Sequence, residues 1–444
     1  MRNLQKFLSL FLAVVFVITS ITPLSSFAGD VDAGEAYAAE AAIEAEAGLK
    51  DVFEEIDSIS DINQYKVLQS FIRNRVTESD FYAGSGYGYN ESGREKLEKV
   101  YSDIFHAEDA LVRPQITCGT HALYLALSSI LLSGDEILFI TGKPYDSLEQ
   151  SIGIKDAPGS LKEQGITWSI TDLIGGKHFD LDKIYDSVTD KTKIIYIQRS
   201  KGYGQRLSLS PEHIGKAVCA ARSVKPEIIA FVDNCYGEFV DYDEPTDYGV
   251  DLCVGSLIKN PGGGLAPTGG YIAGRRDLIE RCAFRLTAPG LGKEVGGSLG
   301  VLKSFYQGLS LAPSITANAV KSAVFAAGVF EALGYETSPN SSDKHHCIVE
   351  AITLNSPERI HLFCENIQGV SYVDSYVKPV GDDMPGYTDQ VIMASGAFVS
   401  GSSIELSADG PMREPYLVFY QGGLTYEHGK YAIMKAAQAI LLSS

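Results

Sequence analysis

The chain of 444 residues has one tryptophan, seven cysteines with no CxxC pair among them, and a shortage of basic residues. Each scarcity removes a class of protein. Beyond the first 18 residues no apolar run approaches the ~20 residues that a membrane-spanning helix needs, so a polytopic membrane fold drops out. The 37 basic residues against 56 acidic ones leave a formal charge of −19, a field that repels polyanions. No basic stripe interleaved with aromatics offsets it, which argues against nucleic-acid binding. The cysteines, at 118, 219, 235, 253, 282, 347 and 364, form an odd, dispersed set that builds neither a disulfide framework nor a zinc site. No segment repeats at a fixed period, so solenoids are excluded.

Familiar catalytic motifs are missing as well. A Walker loop places Gly-Lys-Ser/Thr after its glycines, whereas Lys259 precedes Gly262-Gly263-Gly264 and the pair Gly142-Lys143 runs into Pro144. No GxGxxG follows a strand-like run. The adjacent His345-His346 and the other histidines lack HExxH spacing. The string GGSLG at 296–300 fits a GxSxG elbow around Ser298, but that turn needs a strand immediately before it, and APGLGKEV is loop-like.

What remains is an α/β pattern. Strand-like runs occur at 110–117, 136–141, 166–171, 193–198, 227–233, 251–256 and 269–274, with helix-like runs after Gly119 and from Ser147, Pro211 and Arg276. Such alternation predicts a mostly parallel sheet covered on both faces. From Pro313 a helical pattern runs to Gly334, and the remainder reads as a smaller α+β C-terminal domain closed by a helix from about Tyr426. The expected organisation is a targeting segment at 1–38, an arm at 39–100 that packs on a partner, a large domain at 101–310 and a small domain at 311–444. The first residues combine a basic start (Arg2, Lys6), an apolar run from Phe7 to Ile18 and small residues at 26–28 and 36–38, the pattern of an export signal. Use of that signal places the protein outside the cell or in its envelope, and otherwise in the cytoplasm. Dispersed free thiols sit better with a reducing compartment. The Ala-rich acidic stretch that follows reads as a solvated linker or a weak helix.

One chemistry accounts for several residues in order. Pyridoxal 5'-phosphate requires a lysine for the imine, an acid for the pyridine nitrogen, donors for the phosphate and an aromatic against the ring. In TCGTHAL a strand ends and a helix begins, so the Gly119 and Thr120 amides, the Thr120 hydroxyl and the helix dipole can face an anion. Tyr145 follows the next strand, behind Pro144. Asp233 ends the apolar run EIIAFVD, where a carboxylate is costly unless a cation meets it. Lys259 follows, with Ser256 just ahead of it to add a phosphate bond. Apolar, glycine-rich surroundings are expected to disfavour its charged form and make the amine nucleophilic. Taken singly, these residues also read as a helix cap, a filler tyrosine, a turn-capping aspartate and a solvated lysine.

The stretches GYGYNESGREKLEKVY, EDALVRPQITCGTHAL, TGKPYDSLE, FVDNCYGEF, SLIKNPGGGLAPTGGYIAG, APGLGKEVG, SSIELSADGPMREPY and QGGLTYEHGK, from about residue 80 to 430, closely resemble the methionine gamma-lyase and aluminium-resistance protein family. That family is a branch of the pyridoxal-phosphate enzymes with the aspartate-aminotransferase fold, related to the cystathionine lyases of Cys/Met metabolism. The resemblance implies Lys259 as the imine lysine, Asp233 on the pyridine nitrogen, Gly119, Thr120 and Ser256 around the phosphate, and Tyr145 against the ring. It also implies a homodimer or homotetramer whose neighbouring subunit lends Tyr87 or Tyr89 and Arg94, and it makes Arg413 the candidate for the substrate carboxylate, which its planar fork suits. The expected reaction cleaves a sulfur amino acid, such as methionine or cystathionine, to a 2-oxo acid, ammonia and a thiol. An aminotransferase, a beta-lyase and an exported non-catalytic binding module are the alternatives.

Overall fold

The computed structural model describes residues 33–384 and 387–443; the expected export segment lies outside them up to residue 32. Seven strands form the main sheet: β1 (Asp109–Arg113), β2 (Glu136–Phe139), β3 (Thr167–Ile170), β4 (Thr192–Gln198), β5 (Ile229–Asp233), β6 (Leu252–Ser256) and β7 (Gly270–Gly274). Every strand-like run found in the sequence is among them. Their order is β1-β7-β6-β5-β4-β2-β3; β7 runs antiparallel to both its neighbours and all other pairs are parallel.

Alternation along each strand builds two cores, one per face. On β4, Ile194 and Tyr196 enter one core with Phe139, Phe231 and Leu123, while Ile195 and Ile197 enter the other with Val232 and Val218. The covering helices begin where the sequence supplies caps. Ser210 accepts a hydrogen bond from the His213 amide ahead of Pro211, and Cys118 Sγ accepts from the His121 amide at the start of the helix Gly119–Ile130.

The arm consists of helices α1 (Ala33–Gly48), α2 (Lys50–Arg73) and α3 (Ser92–Ile104). The Ala-rich stretch expected as a linker or a weak helix is α1, with Ala38, Ala41 and Ala42 buried. α2 lies on the chain's own body: Asn63 donates to the Phe239 and Asp241 carbonyls and Gln64 to the Ser310 carbonyl.

A 31-residue helix, Leu302–Ala332, joins the two sheets. The helix expected from Pro313 begins eleven residues earlier and runs through that proline. The intrahelical bond lost there is offset by burial, since Leu309, Ala312, Pro313 and Thr316 are all enclosed. Its first half packs beside β1 and β7 through Phe305, Tyr306 and Leu309, and its second half enters the core of the smaller unit through Val324, Phe325 and Phe330. That unit is a six-stranded antiparallel sheet of β8 (Glu336–Ser338), β9 (Val349–Thr353), β10 (Gly381–Asp382), β11 (Val391–Ala394), β12 (Ser407–Pro411) and β13 (Leu417–Gln421), in the order β10-β11-β12-β13-β9-β8. Helices Pro357–Gly369 and Tyr426–Leu442 pack on each other and on this unit. The fold is α/β, a mostly parallel sheet with a smaller C-terminal sheet domain. Among the described residues no helix is long and apolar enough to cross a membrane.

Candidate active site

In a parallel sheet the carboxyl ends of the strands and the amino ends of the following helices meet along one edge, and ligand sites form there. A cavity of about 230 Å³ occupies that edge, with the smaller sheet as its other wall. Gln198, Asp233 and Ser256 are the last residues of β4, β5 and β6, and Asp233 pairs in register with Gln198 on one side and Val254 on the other. Gly119 and Thr120 open the helix after β1, Tyr145 caps the one after β2, and Lys259 ends the turn that leaves β6.

Asp233 is buried, accepting from the Cys235 amide (3.1 Å) and the Tyr196 hydroxyl (3.4 Å). Burial raises its pKa, against the pull of the Lys259 charge. The Lys259 Nζ stands 3.9 Å from the centroid of the Tyr236 ring, a cation–π contact. Burial works against this ammonium, but Cys235, Tyr236 and Asp233 outweigh it and hold the pKa well above the ordinary lysine value. The expectation that the surroundings disfavour the charged form is therefore corrected: the groups facing Lys259 are acidic and aromatic as well as apolar. The Gly262-Gly263 turn has a different use as well. A Cβ on Gly262 or Gly263 would collide with backbone, and a Cβ on Gly308 of the long helix would strike Gly262, so the glycines let the lysine's loop lie against that helix.

Tyr145 is tied in at two points, its amide donating to Gln198 Oε1 (2.9 Å) and its hydroxyl to Thr120 Oγ1 (2.7 Å). Burial, reinforced by Asp233, keeps its phenol protonated far above the usual range. Ser256 Oγ is buried and has no hydrogen-bond partner among the described residues. Such an orphan is costly unless a ligand meets it. With the Gly119 and Thr120 amides at a helix amino end, it forms a cup suited to a phosphate. The donor set therefore fits the cofactor: an anion cup, a buried carboxylate for a ring nitrogen and an amine in the same cavity.

Four expected residues lie elsewhere. Arg94 is buried, its guanidinium donating to the Gly88 and Gly296 carbonyls (2.8 and 2.9 Å) beside Glu91 (3.6 Å). It clamps the loop carrying Tyr87 and Tyr89, whose exposed rings stack on each other with centroids 5.3 Å apart. Glu91 also accepts from the Ser298 amide and hydroxyl, so Ser298 is a buried clamp in a loop with no strand before it. Arg413 is exposed and pairs with Asp389 at 3.1 Å, away from the cavity. The sequence reading missed Gln198, Ser200, Tyr203, Tyr236, Tyr387, Asp409 and Gln421, which also line the cavity. Behind that wall, Arg206 donates to the Gln198 and Ser200 carbonyls, and burial lowers its pKa to about 10.

The methionine gamma-lyase family model matches residues 38–441, a span that contains every residue of this cavity. The chain belongs to the methionine gamma-lyase family. Among relatives in that range, the uncharacterized protein YnbB of Bacillus subtilis is 45% identical over 402 residues, covering 90% of this chain and 96% of its own. A carbon-sulfur lyase involved in aluminium resistance from Clostridium novyi is 44% identical, with a TM-score of 0.87 over 90% of this chain and 95% of its own. A Listeria monocytogenes structure, provisionally named a cystathionine beta-lyase involved in aluminium resistance, is 47% identical, with a TM-score of 0.88 over 90% of this chain and 99% of its own. The pyridoxal-5'-phosphate dependent protein YhfS of Escherichia coli, 16% identical with a TM-score of 0.59 over 88% of this chain and 97% of its own, shares the fold.

Proposed function

We propose that the chain is a pyridoxal-phosphate-dependent carbon–sulfur lyase acting on a sulfur amino acid. The observation that carries this reading is the convergence, in one cavity, of the amine of Lys259, the buried Asp233 carboxylate, the partnerless Ser256 hydroxyl and the helix start at Gly119-Thr120. The Gly119 and Thr120 amides and Ser256 Oγ would hold the phosphate, Asp233 the pyridine nitrogen and Lys259 the aldehyde carbon. When bound, this cofactor supplies an electron sink for a substrate carbanion.

The chain's own groups do the rest. With the cofactor bound, Asp233 would pair with its ring nitrogen and no longer support the Lys259 ammonium, which would favour the free amine of Lys259. Its Nζ then accepts the substrate's alpha proton. Tyr145, with its proton held by burial, would be the acid that delivers one to the departing sulfur. The products are a 2-oxo acid, ammonia and a thiol, and methionine or cystathionine is a substrate of the right class. The exposed pair Tyr87 and Tyr89, rigidly backed by Arg94, supports a homodimer or homotetramer, which sedimentation would register.

Purified protein should show a visible absorption band that borohydride abolishes, with the reduced label on Lys259. A colourless protein indifferent to added cofactor would sink the reading. Assays of 2-oxo acid, ammonia and thiol from methionine, cystathionine and cysteine separate a lyase from an aminotransferase, since transamination releases no thiol.

A further inference from the structure

We propose that Asp409, on the small-sheet wall of the cavity, selects substrates whose far end carries an ammonium group. This rests on the lyase reading above and extends it to the substrate's remote end.

Among the described residues three carboxylates line the cavity, Asp146, Asp233 and Asp409, against a single lining cation, Lys259, and no arginine. Two of the three are already engaged. Asp146 pairs with Lys155 at 3.3 Å, and Asp233 faces the cofactor side of the cavity at the end of β5. Asp409 lies in β12, in register with Phe419 of β13, and is 5% exposed. Its Oδ2 accepts from Gln421 Nε2 at 2.8 Å, the Tyr203 hydroxyl lies against the same carboxyl, and among the described residues no cation is paired with it. A buried carboxylate held only by neutral donors is costly, and a cation delivered by the substrate reduces that cost. Burial already lifts its pKa to about 6, so the group is mostly ionised at neutral pH and ready for such a cation.

Position and chemistry narrow the substrate. Lys259 and Asp233 sit on the large-sheet side, so a group reaching β12 extends across the cavity from the reacting carbon. A thioether amino acid with a second amino group on its sulfur-borne arm meets this demand. One ending in a methyl group leaves Asp409 uncompensated.

The test compares two ligands that differ only in the distal amine: S-(3-amino-3-carboxypropyl)-L-cysteine and S-(3-carboxypropyl)-L-cysteine. In the wild-type holoenzyme kcat/KM should favour the first, and Asp409→Asn should lower that preference roughly tenfold to hundredfold, the range for one charged hydrogen bond. Calorimetric binding of both ligands to the cofactor-loaded Lys259→Ala protein, with and without Asp409→Asn, should show the same loss of preference without turnover. Equal effects of Asp409→Asn on both ligands, or no wild-type preference, would overturn the assignment and leave Asp409 a support for Gln421. If no thiol is released but binding still discriminates in an Asp409-dependent way, the lyase reading fails and the assignment stands. Should Asp409→Asn not fold, Asp409→Ser replaces it under the same criteria.

Discussion

Gly255, the residue before Ser256 in β6, offers a test in which two ordinary effects oppose each other. Gly→Ala inside a strand removes backbone entropy from the unfolded chain and would by itself stabilise by about 0.5–1 kcal/mol. Here a Cβ would lie 2.5 Å from Tyr271 Cε1 and 2.6 Å from Glu238 Oε1, where real Cβ contacts stay beyond 3.0 Å. The neighbours cannot swing away. The Tyr271 ring packs between Phe105 at 5.0 Å and Tyr101 at 5.8 Å, and its hydroxyl donates to Glu238 Oε1 at 2.9 Å. Overpacking of this kind costs about 1–3 kcal/mol, and a double contact with held groups belongs near the top of that range, so the net expectation is a loss of about 2 kcal/mol. The displacement should also reach the site. The Glu238 carbonyl accepts from Asn260 Nδ2 at 3.0 Å, and Asn260 is the residue next to Lys259. Gly255→Ala should therefore lower the melting temperature and weaken cofactor affinity together, as read by thermal denaturation and by titration of the visible band. Gly369→Ala, where a Cβ meets nothing within 4 Å, is the control and should change neither by much. If Gly255→Ala melts at or above the wild-type temperature with cofactor affinity intact, the packing argument is refuted.

Lys259→Ala should abolish turnover and borohydride labelling while a cofactor-induced rise in melting temperature survives in part, because the phosphate cup and Asp233 remain. Ser256→Ala should weaken cofactor binding by roughly tenfold to hundredfold in a spectroscopic titration, the worth of one hydrogen bond to a charged phosphate. His345 is buried, and burial together with the nearby Lys201 charge drives its pKa down to about 3. The unfolded chain thus binds a proton near pH 6.5 that the folded chain refuses, so stability present above pH 6.5 is lost as the pH falls from there toward 3, by up to roughly 1.4 kcal/mol per pH unit. Denaturant midpoints measured across that window should flatten in His345→Phe, and an unchanged slope would show that other groups carry it.

The two walls of the cavity differed greatly in how legible they were beforehand. The large-sheet wall consists of strand ends and helix starts, and both leave local marks: β-branched runs for β4 to β6, a glycine and threonine where a helix opens, an aspartate closing an apolar run. Gly119, Thr120, Tyr145, Asp233, Ser256 and Lys259 all carry such marks, and all line the cavity. The long helix was misread at its start because proline is a strong local stop signal, and nothing local reveals that Leu309 and Thr316 bury around it. Arg413 was chosen for the chemistry of a guanidinium, which is blind to competing partners, and in the fold Asp389 engages it.

The opposite wall left almost no local mark, because its residues reach the cavity through long-range pairing. Asp409 lies 150 positions after Lys259 in a strand whose sequence, SADGP, has little strand propensity. Its burial follows from β11 and β13 on either side and from Cys364 and Ile360 packing close to Gly410. Tyr203 and Gln198 arrive from a loop and a strand end that only the sheet order brings together. This asymmetry matches a division of labour. On the proposed reading, the locally written wall would hold the groups that pyridoxal-phosphate chemistry requires, and the wall assembled at long range would meet the part of the substrate that differs from one sulfur amino acid to another. Substrate choice in this chain should accordingly respond to substitutions in β12, β13 and the loop after β4, and loss of cofactor to substitutions at the ends of β5 and β6.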